Sequence, residues 1–249
     1  TVQSEDCLTV DVWIPAPQTV HGREGPRGST TVSTHASSNV TAHLRHSAHE
    51  TGPSNKTPLR PVLVFFYGGG ALSGASSWYN FSRYTADGFV VVAANYRVGP
   101  LGFLALAELS KASSTGASGN YGLMDCDMAL QFAVTNAVRF GGDPQAVTVM
   151  GQSSGATMVW GLVGHHWSSG STRPFQRAVA LSGSPNITMQ RAHAEQQNAP
   201  IVASLGCAGA TDVLACLRAV PATAVSYGHA PINTTWQEYD ALTWGLPGP

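Results

Sequence analysis

Residues 146–162 read AVTVMGQSSGATMVWGL. An apolar run enters Gly151-Gln152-Ser153-Ser154-Gly155 and a second apolar run leaves it. The first run is short and continuous, as in a strand covered on both faces. The second has the length and composition of a helix. A strand, a tight turn and a helix with a serine at the apex is the arrangement that exposes a nucleophilic hydroxyl. Glycines at 151 and 155 leave room across such a turn, and the N-terminal N–H groups of the helix favour developing negative charge. G-x-S begins at Gly52, Gly74, Gly116 and Gly151, but only the last completes G-x-S-x-G. Taken alone, the motif also fits a glycine turn that simply packs a helix on a sheet.

A second glycine cluster lies upstream. PVLVFFYGGG, residues 61–70, is a buried-strand pattern that ends in Gly68-Gly69-Gly70. Glycines just past a strand leave backbone N–H groups bare for an anion, and serine hydrolases draw oxyanion donors from such loops. FVVVAA, residues 89–94, and RAVALSG, residues 177–183, predict two further buried strands. NYGLMDCDMALQFAVTNAVRFGG, residues 120–142, has helical spacing, with Asp125 and Asp127 near its start and Gly141-Gly142 after its end. DCLTVDVWIP, residues 6–15, alternates like a half-buried strand. Residues 199–206 and 212–220 look helical. Alternating strands and helices predict an α/β fold with a mixed, mostly parallel sheet and helices on both faces.

Residues 18–60 break this pattern. They are rich in Ser, Thr, His and Gly and show no hydrophobic period. They are expected to be a disordered insertion within a single domain spanning residues 1–249. His35, His43, His46 and His49 lie there without carboxylate or cysteine company, and no CxxC pair occurs. No metal site and no cofactor are expected.

Composition narrows the function classes. Of the 249 residues, 43% are hydrophobic and 11% charged, and the net charge is -1. That balance gives no reason to expect a nucleic-acid partner. The longest apolar runs fall well short of a membrane span. Five of the nine asparagines sit in N-x-[ST] sequons: Asn39, Asn55, Asn80, Asn186 and Asn233. They suggest passage through a secretory pathway.

SEDCLTVDVWIP, YGGG, NYRVGPLGFL, GNYGLMD, FGGDP, GQSSGA and LSGSPN occur in this order. Together they resemble the type B carboxylesterase family, which includes cholinesterases, over most of the chain outside the insertion. The resemblance implies the α/β-hydrolase fold, here truncated at its C-terminal side. It implies hydrolysis of a small-molecule or lipid ester through an acyl-enzyme. Ser153 would be the nucleophile, and Gly69, Gly70 and Ser154 would supply the oxyanion hole. Cys207 and Cys216 would be disulfide-bonded, and Cys7 would pair with a cysteine further upstream. Arg97 would pair with Asp143 beneath the site. The motif departs from the family's G-E-S-A-G at Gln152 and Ser154.

The family's acid and histidine lie well beyond the elbow, in a C-terminal half that this chain lacks. His165 and His166 fall near the end of the elbow helix and His193 in a polar run. His229, preceded by Asp212, keeps the chain order, but its surroundings do not resemble the family's histidine loop. The expectation is an elbow and oxyanion hole without their base. The alternative, also implied by the resemblance, is a non-catalytic adhesion or interaction domain. Oligomeric state is left open.

Overall fold

The computed structural model describes residues 6–16, 30–35, 58–168, 173–185 and 189–227, with backbone alone at 30–35 and 226–227. Six strands form one sheet: β1 Thr9–Ile14, β2 Thr30–His35, β3 Arg60–Phe66, β4 Val90–Ala94, β5 Gly142–Gln152 and β6 Arg177–Leu181. The spatial order is β2-β1-β4-β3-β5-β6. β1 runs antiparallel to both β2 and β4, and β4, β3, β5 and β6 are parallel. This is the mixed, mostly parallel sheet that the sequence predicts, and it suits an α/β-hydrolase fold. The helices are α1 Ser82–Ala86, α2 Gly99–Phe103, α3 Ala107–Ala112, α4 Tyr121–Asn136, α5 Ser154–Ser168, α6 Arg191–Asn198, α7 Pro200–Ser204, α8 Val213–Ala219 and α9 Ala222–Tyr227. None of the described helices is long and apolar enough to cross a membrane.

All five residues of β4 and the last five of β3 are buried. Neighbouring side chains on a strand point to opposite faces, so both faces of the sheet centre are covered. On one face Phe65 meets Tyr79 and Phe81, with ring centroids 4.7 and 5.1 Å away, and Trp13 meets Phe81 at 5.9 Å. Helices α4 and α5 pack against β3 and β5 and against each other. Their buried residues include Leu123, Cys126, Leu130 and Ala133 of α4 and Met158, Val159 and Leu162 of α5.

Three expectations change. β6 is not a buried strand: Val179 and Leu181 are exposed, because β6 is the sheet edge and no further strand flanks it among the described residues. An apolar run of five carries no information about whether its far side is covered. Residues 30–35, inside the segment read as featureless, form a strand on the opposite edge, in register with the whole of β1. Asp125 and Asp127 lie past the first turn of α4, where the dipole is weak. Both instead make tertiary contacts, described below. Most of 18–60 lies outside the described residues.

Cys207 and Cys216 form a disulfide, with Cα atoms 5.7 Å apart. Cys7 is a free, exposed thiol and Cys126 a free, buried one. Burial pushes both thiols above their ordinary pKa, Cys126 far more. The thiolate is the reactive form, so raising either pKa slows alkylation and moves it to higher pH. Iodoacetamide at mildly alkaline pH is therefore expected to modify Cys7, faster as pH rises, and to spare Cys126 until urea unfolds the chain. Mass-mapped alkylation of Cys126 in the native protein would contradict the docking of α4.

Candidate active site

The elbow is built on a close approach between backbones. β5 ends at Gln152 and α5 begins at Ser154, so the chain turns from extended to helical at Ser153. Ser153 has φ 56°, a left-handed conformation that costs a non-glycine residue about 1–2 kcal/mol. Its backbone is held on both sides. The Ser153 N–H donates to the Leu181 carbonyl at 2.8 Å. Its carbonyl accepts from Ala156 N–H at 2.8 Å and Thr157 N–H at 3.1 Å.

The flanking glycines leave no room for a side chain. A Cβ on Gly155 would lie 2.1 Å from the Phe66 carbonyl oxygen and 2.5 Å from that of Tyr67. One on Gly151 would lie 2.1 Å from the Gly155 carbonyl oxygen, and one on Gly183 would lie 2.4 Å from Ala156 Cβ. The first turn of α5 therefore rests on the ends of β3 and β6.

The glycine loop after β3 reaches the same point. A Cβ on Gly68 would sit 2.9 Å from Ser153 Cβ and 2.7 Å from Gln152 Oε1. Gly69 and Gly70 follow at φ 131° and 63°. The Gly69 carbonyl accepts from the N–H groups of Leu72 and Ser73, which folds the loop back on itself. Among the described residues, the N–H groups of Gly69, Gly70 and Ser154 have no acceptor, and Ser153 Oγ has no hydrogen bond. The Ser154 side chain is buried, with its Oγ beside the Tyr96 hydroxyl.

Two tyrosines fix the loop. Tyr67 and Tyr96 stack with centroids 4.4 Å apart. Each hydroxyl donates to the other's backbone carbonyl, at 2.9 Å from Tyr67 and 2.6 Å from Tyr96. Burial pushes both phenol pKa values up. Gly74 packs on the Tyr67 ring so closely that a Cβ there would lie 2.2 Å from it. This clamp joins the ends of β3 and β4 beneath the glycine loop, and nothing in the sequence patterning pointed to it.

Arg97 follows on from Tyr96, and its partner differs from the expected one. Its Nε and Nη2 donate to the two oxygens of Asp125, both at 2.8 Å, and its backbone N–H donates to Asp125 Oδ2 at 3.0 Å. Asp143 instead accepts from Gln145 N–H and shapes the turn inside β5. FGGDP places Asp143 before the buried part of β5, whereas Asp125 on α4 faces the loop that carries Arg97. A bidentate pair whose carboxylate is 8% exposed holds that loop on α4.

No histidine among the described residues hydrogen-bonds Ser153. His165 and His166 stand in the last turn of α5, about 18 Å along the axis from its start at 1.5 Å per residue. His193 is in α6. Asp212 caps α8 by accepting from Ala215 N–H at 2.9 Å, and His229 lies outside the described residues. Asn80 is exposed and its side chain accepts from Ser82 N–H. Asn39, Asn55, Asn186, Asn233, His43, His46 and His49 lie outside the described residues.

A family model described as the carboxylesterase family matches residues 1–239. The chain is 41% identical over 181 residues to an acetylcholinesterase of Gallus gallus, covering 69% of this chain and 22% of that protein. It is 36% identical over 224 residues to one of Bungarus fasciatus, covering 86% and 29%. It is 34% identical over 252 residues to one of Danio rerio, covering 98% and 31%. The chain thus spans under a third of the length of these relatives.

The close approach at the elbow has a measurable consequence. Gly155→Ala is expected to destabilise by about 3 kcal/mol or more, because its Cβ meets backbone that cannot move aside. Gly164→Ala, in the same helix with nothing within 4 Å of its Cβ, is expected to stabilise by about 0.5–1 kcal/mol. Urea denaturation of the two variants measures both. Equal effects would mean that α5 does not rest on β3.

Proposed function

The chain belongs to the carboxylesterase family, and on that premise we propose that it carries the nucleophile and oxyanion hole of a serine carboxylic ester hydrolase. Ser153 is the nucleophile. Its Oγ attacks the ester carbonyl and the tetrahedral oxyanion accepts hydrogen bonds from the N–H groups of Gly69, Gly70 and Ser154. The alcohol leaves, and water then frees the acyl group from Ser153. A histidine from outside the described residues takes the Ser153 proton and passes it to the departing alcohol. The supporting observation is the strained Ser153 itself, bonded through its backbone and, among the described residues, free at its hydroxyl beside three N–H groups without acceptors. Oriented N–H donors that need no rearrangement are worth about 3–4 kcal/mol each in such transition states.

Gln152 stands where the resembled motif has glutamate, so no carboxylate precedes the nucleophile. Substrates are small-molecule or lipid esters, and the ester for which the relatives are named is the first to try. An activated fluorophosphonate is expected to label Ser153 strongly only where a histidine base is supplied, and Ser153→Ala is expected to abolish that labelling. Persistent labelling of Ser153→Ala would overturn the assignment. A labelling rate that rises through pH 6–7 would bring a histidine base to Ser153.

The chain matures in the secretory pathway, where its disulfide is stable and its exposed Asn80 sequon carries a glycan. Material from eukaryotic cells should lose mass on N-glycosidase treatment, with conversion of Asn80 to Asp. An unmodified Asn80 would count against this route.

A further inference from the structure

α4 and the last turn of α5 bring together three metal-ligand side chains that the proposed ester chemistry does not use. One ligand atom from each of Asp127, His165 and His166 lies within 4.8 Å of the others. His166 Nε2 is 2.7 Å from Asp127 Oδ1. The rings of His165 and His166 have centroids 5.0 Å apart. His166 is 6% exposed, Asp127 half-buried and His165 exposed, so the cluster has a buried wall and an open mouth.

We propose that Asp127, His165 and His166 bind a zinc(II) ion, through a carboxylate oxygen, a ring nitrogen of His165 and Nε2 of His166, with water completing the shell. Two imidazoles and one carboxylate are the donor set of open, four-coordinate zinc, whereas calcium and magnesium prefer oxygen ligands throughout. Electrostatics favours a cation here. Asp127 brings negative charge, and the cluster lies at the C-terminal end of the 15-residue α5, the negative end of its dipole. Arg173, stacked on Trp167, is an opposing charge, but it is exposed and screened by solvent.

His166 presents one ring nitrogen to the cluster and not the other. Its Nδ1 is buried and has no hydrogen-bond partner among the described residues. Besides its edge contacts with His165 and Phe175, the ring is oriented by the hydrogen bond at Nε2. That atom faces Asp127 and the cluster. Tetrahedral zinc needs ligand atoms about 3.3 Å apart, so the Nε2 to Oδ1 contact opens by roughly half an ångström and His165 swings inward. With the metal on Nε2, the imidazole proton resides on Nδ1. Metal-bound imidazoles normally donate that second proton to an acceptor, and its absence weakens binding by roughly 10–100-fold relative to a fully supported site. The ion would pin the C-terminal end of the elbow helix to α4, remote from Ser153.

Calorimetric titration with zinc chloride in a non-coordinating buffer tests the site. One equivalent is expected to bind to the unaltered chain. His165→Ala and Asp127→Asn are each expected to weaken that binding tenfold or more. The combined His43→Ala, His46→Ala, His49→Ala variant is expected to bind as the parent does. Cobalt(II) in place of zinc should give visible absorption of tetrahedral intensity that His165→Ala removes. The proposal is overturned by failure of the parent to bind, by His165→Ala binding as the parent does, or by loss of binding in the triple variant.

Discussion

The contact between Gly155 and the carbonyls of Phe66 and Tyr67 governs the geometry of this molecule. A helix whose first turn touches the end of the central strand cannot be entered gradually. The chain has one residue, Ser153, in which to change from extended to helical, and that residue takes φ 56°. The strain of about 1–2 kcal/mol is offset locally. Three backbone hydrogen bonds converge on Ser153, one from its N–H and two to its carbonyl, and each is worth about 1 kcal/mol net. Strain and bonding together hold the seryl backbone through main-chain groups alone, with no hydrogen bond to its hydroxyl among the described residues. The same approach brings the glycine loop after β3 alongside, because both features sit at the end of one strand.

The elbow also joins parts of unequal burial. On one side are β3 and β4, buried on both faces, and the Tyr67–Tyr96 clamp. On the other is the Leu181 carbonyl, at the end of an edge strand whose apolar side chains are exposed. The N–H of Ser153 bonds to that carbonyl. The position of the serine therefore depends on β6 staying paired to β5, while the Gly69–Gly70 loop depends on β3 and on the Tyr67–Tyr96 clamp to β4.

What was legible in the sequence follows from this. Gly151, Gly155 and the run Gly68–Gly70 were legible because only glycine tolerates those approaches and because they follow continuous apolar runs. The disulfide was legible by resemblance, and α4 by its period. Other features were not local. The exposure of β6 depends on what lies beside it, and a run such as RAVAL does not encode its neighbours. Residues 30–35 pair with β1 through backbone bonds, which polar side chains permit but do not advertise. The Tyr67–Tyr96 clamp depends on the ends of two strands that meet only in the sheet.

Helix α4 explains the remaining misreadings. Asp125 and Asp127 were read as favourable charges at a helix start, yet Asp125 is already the fifth residue of α4. Two residues on a helix separated by one position point about 200° apart. One therefore faces the loop after β4 and the other faces α5. Asp125 takes Arg97 in a bidentate pair, and Asp127 takes His166. The same two carboxylates thus anchor α4 to the loop from the end of β4 and to the far end of the elbow helix. A helix tied at both faces by charged contacts resists sliding along the sheet, because any axial shift would separate one pair or both. That registry, set well away from Ser153, contributes to keeping the first turn of α5 pressed against β3.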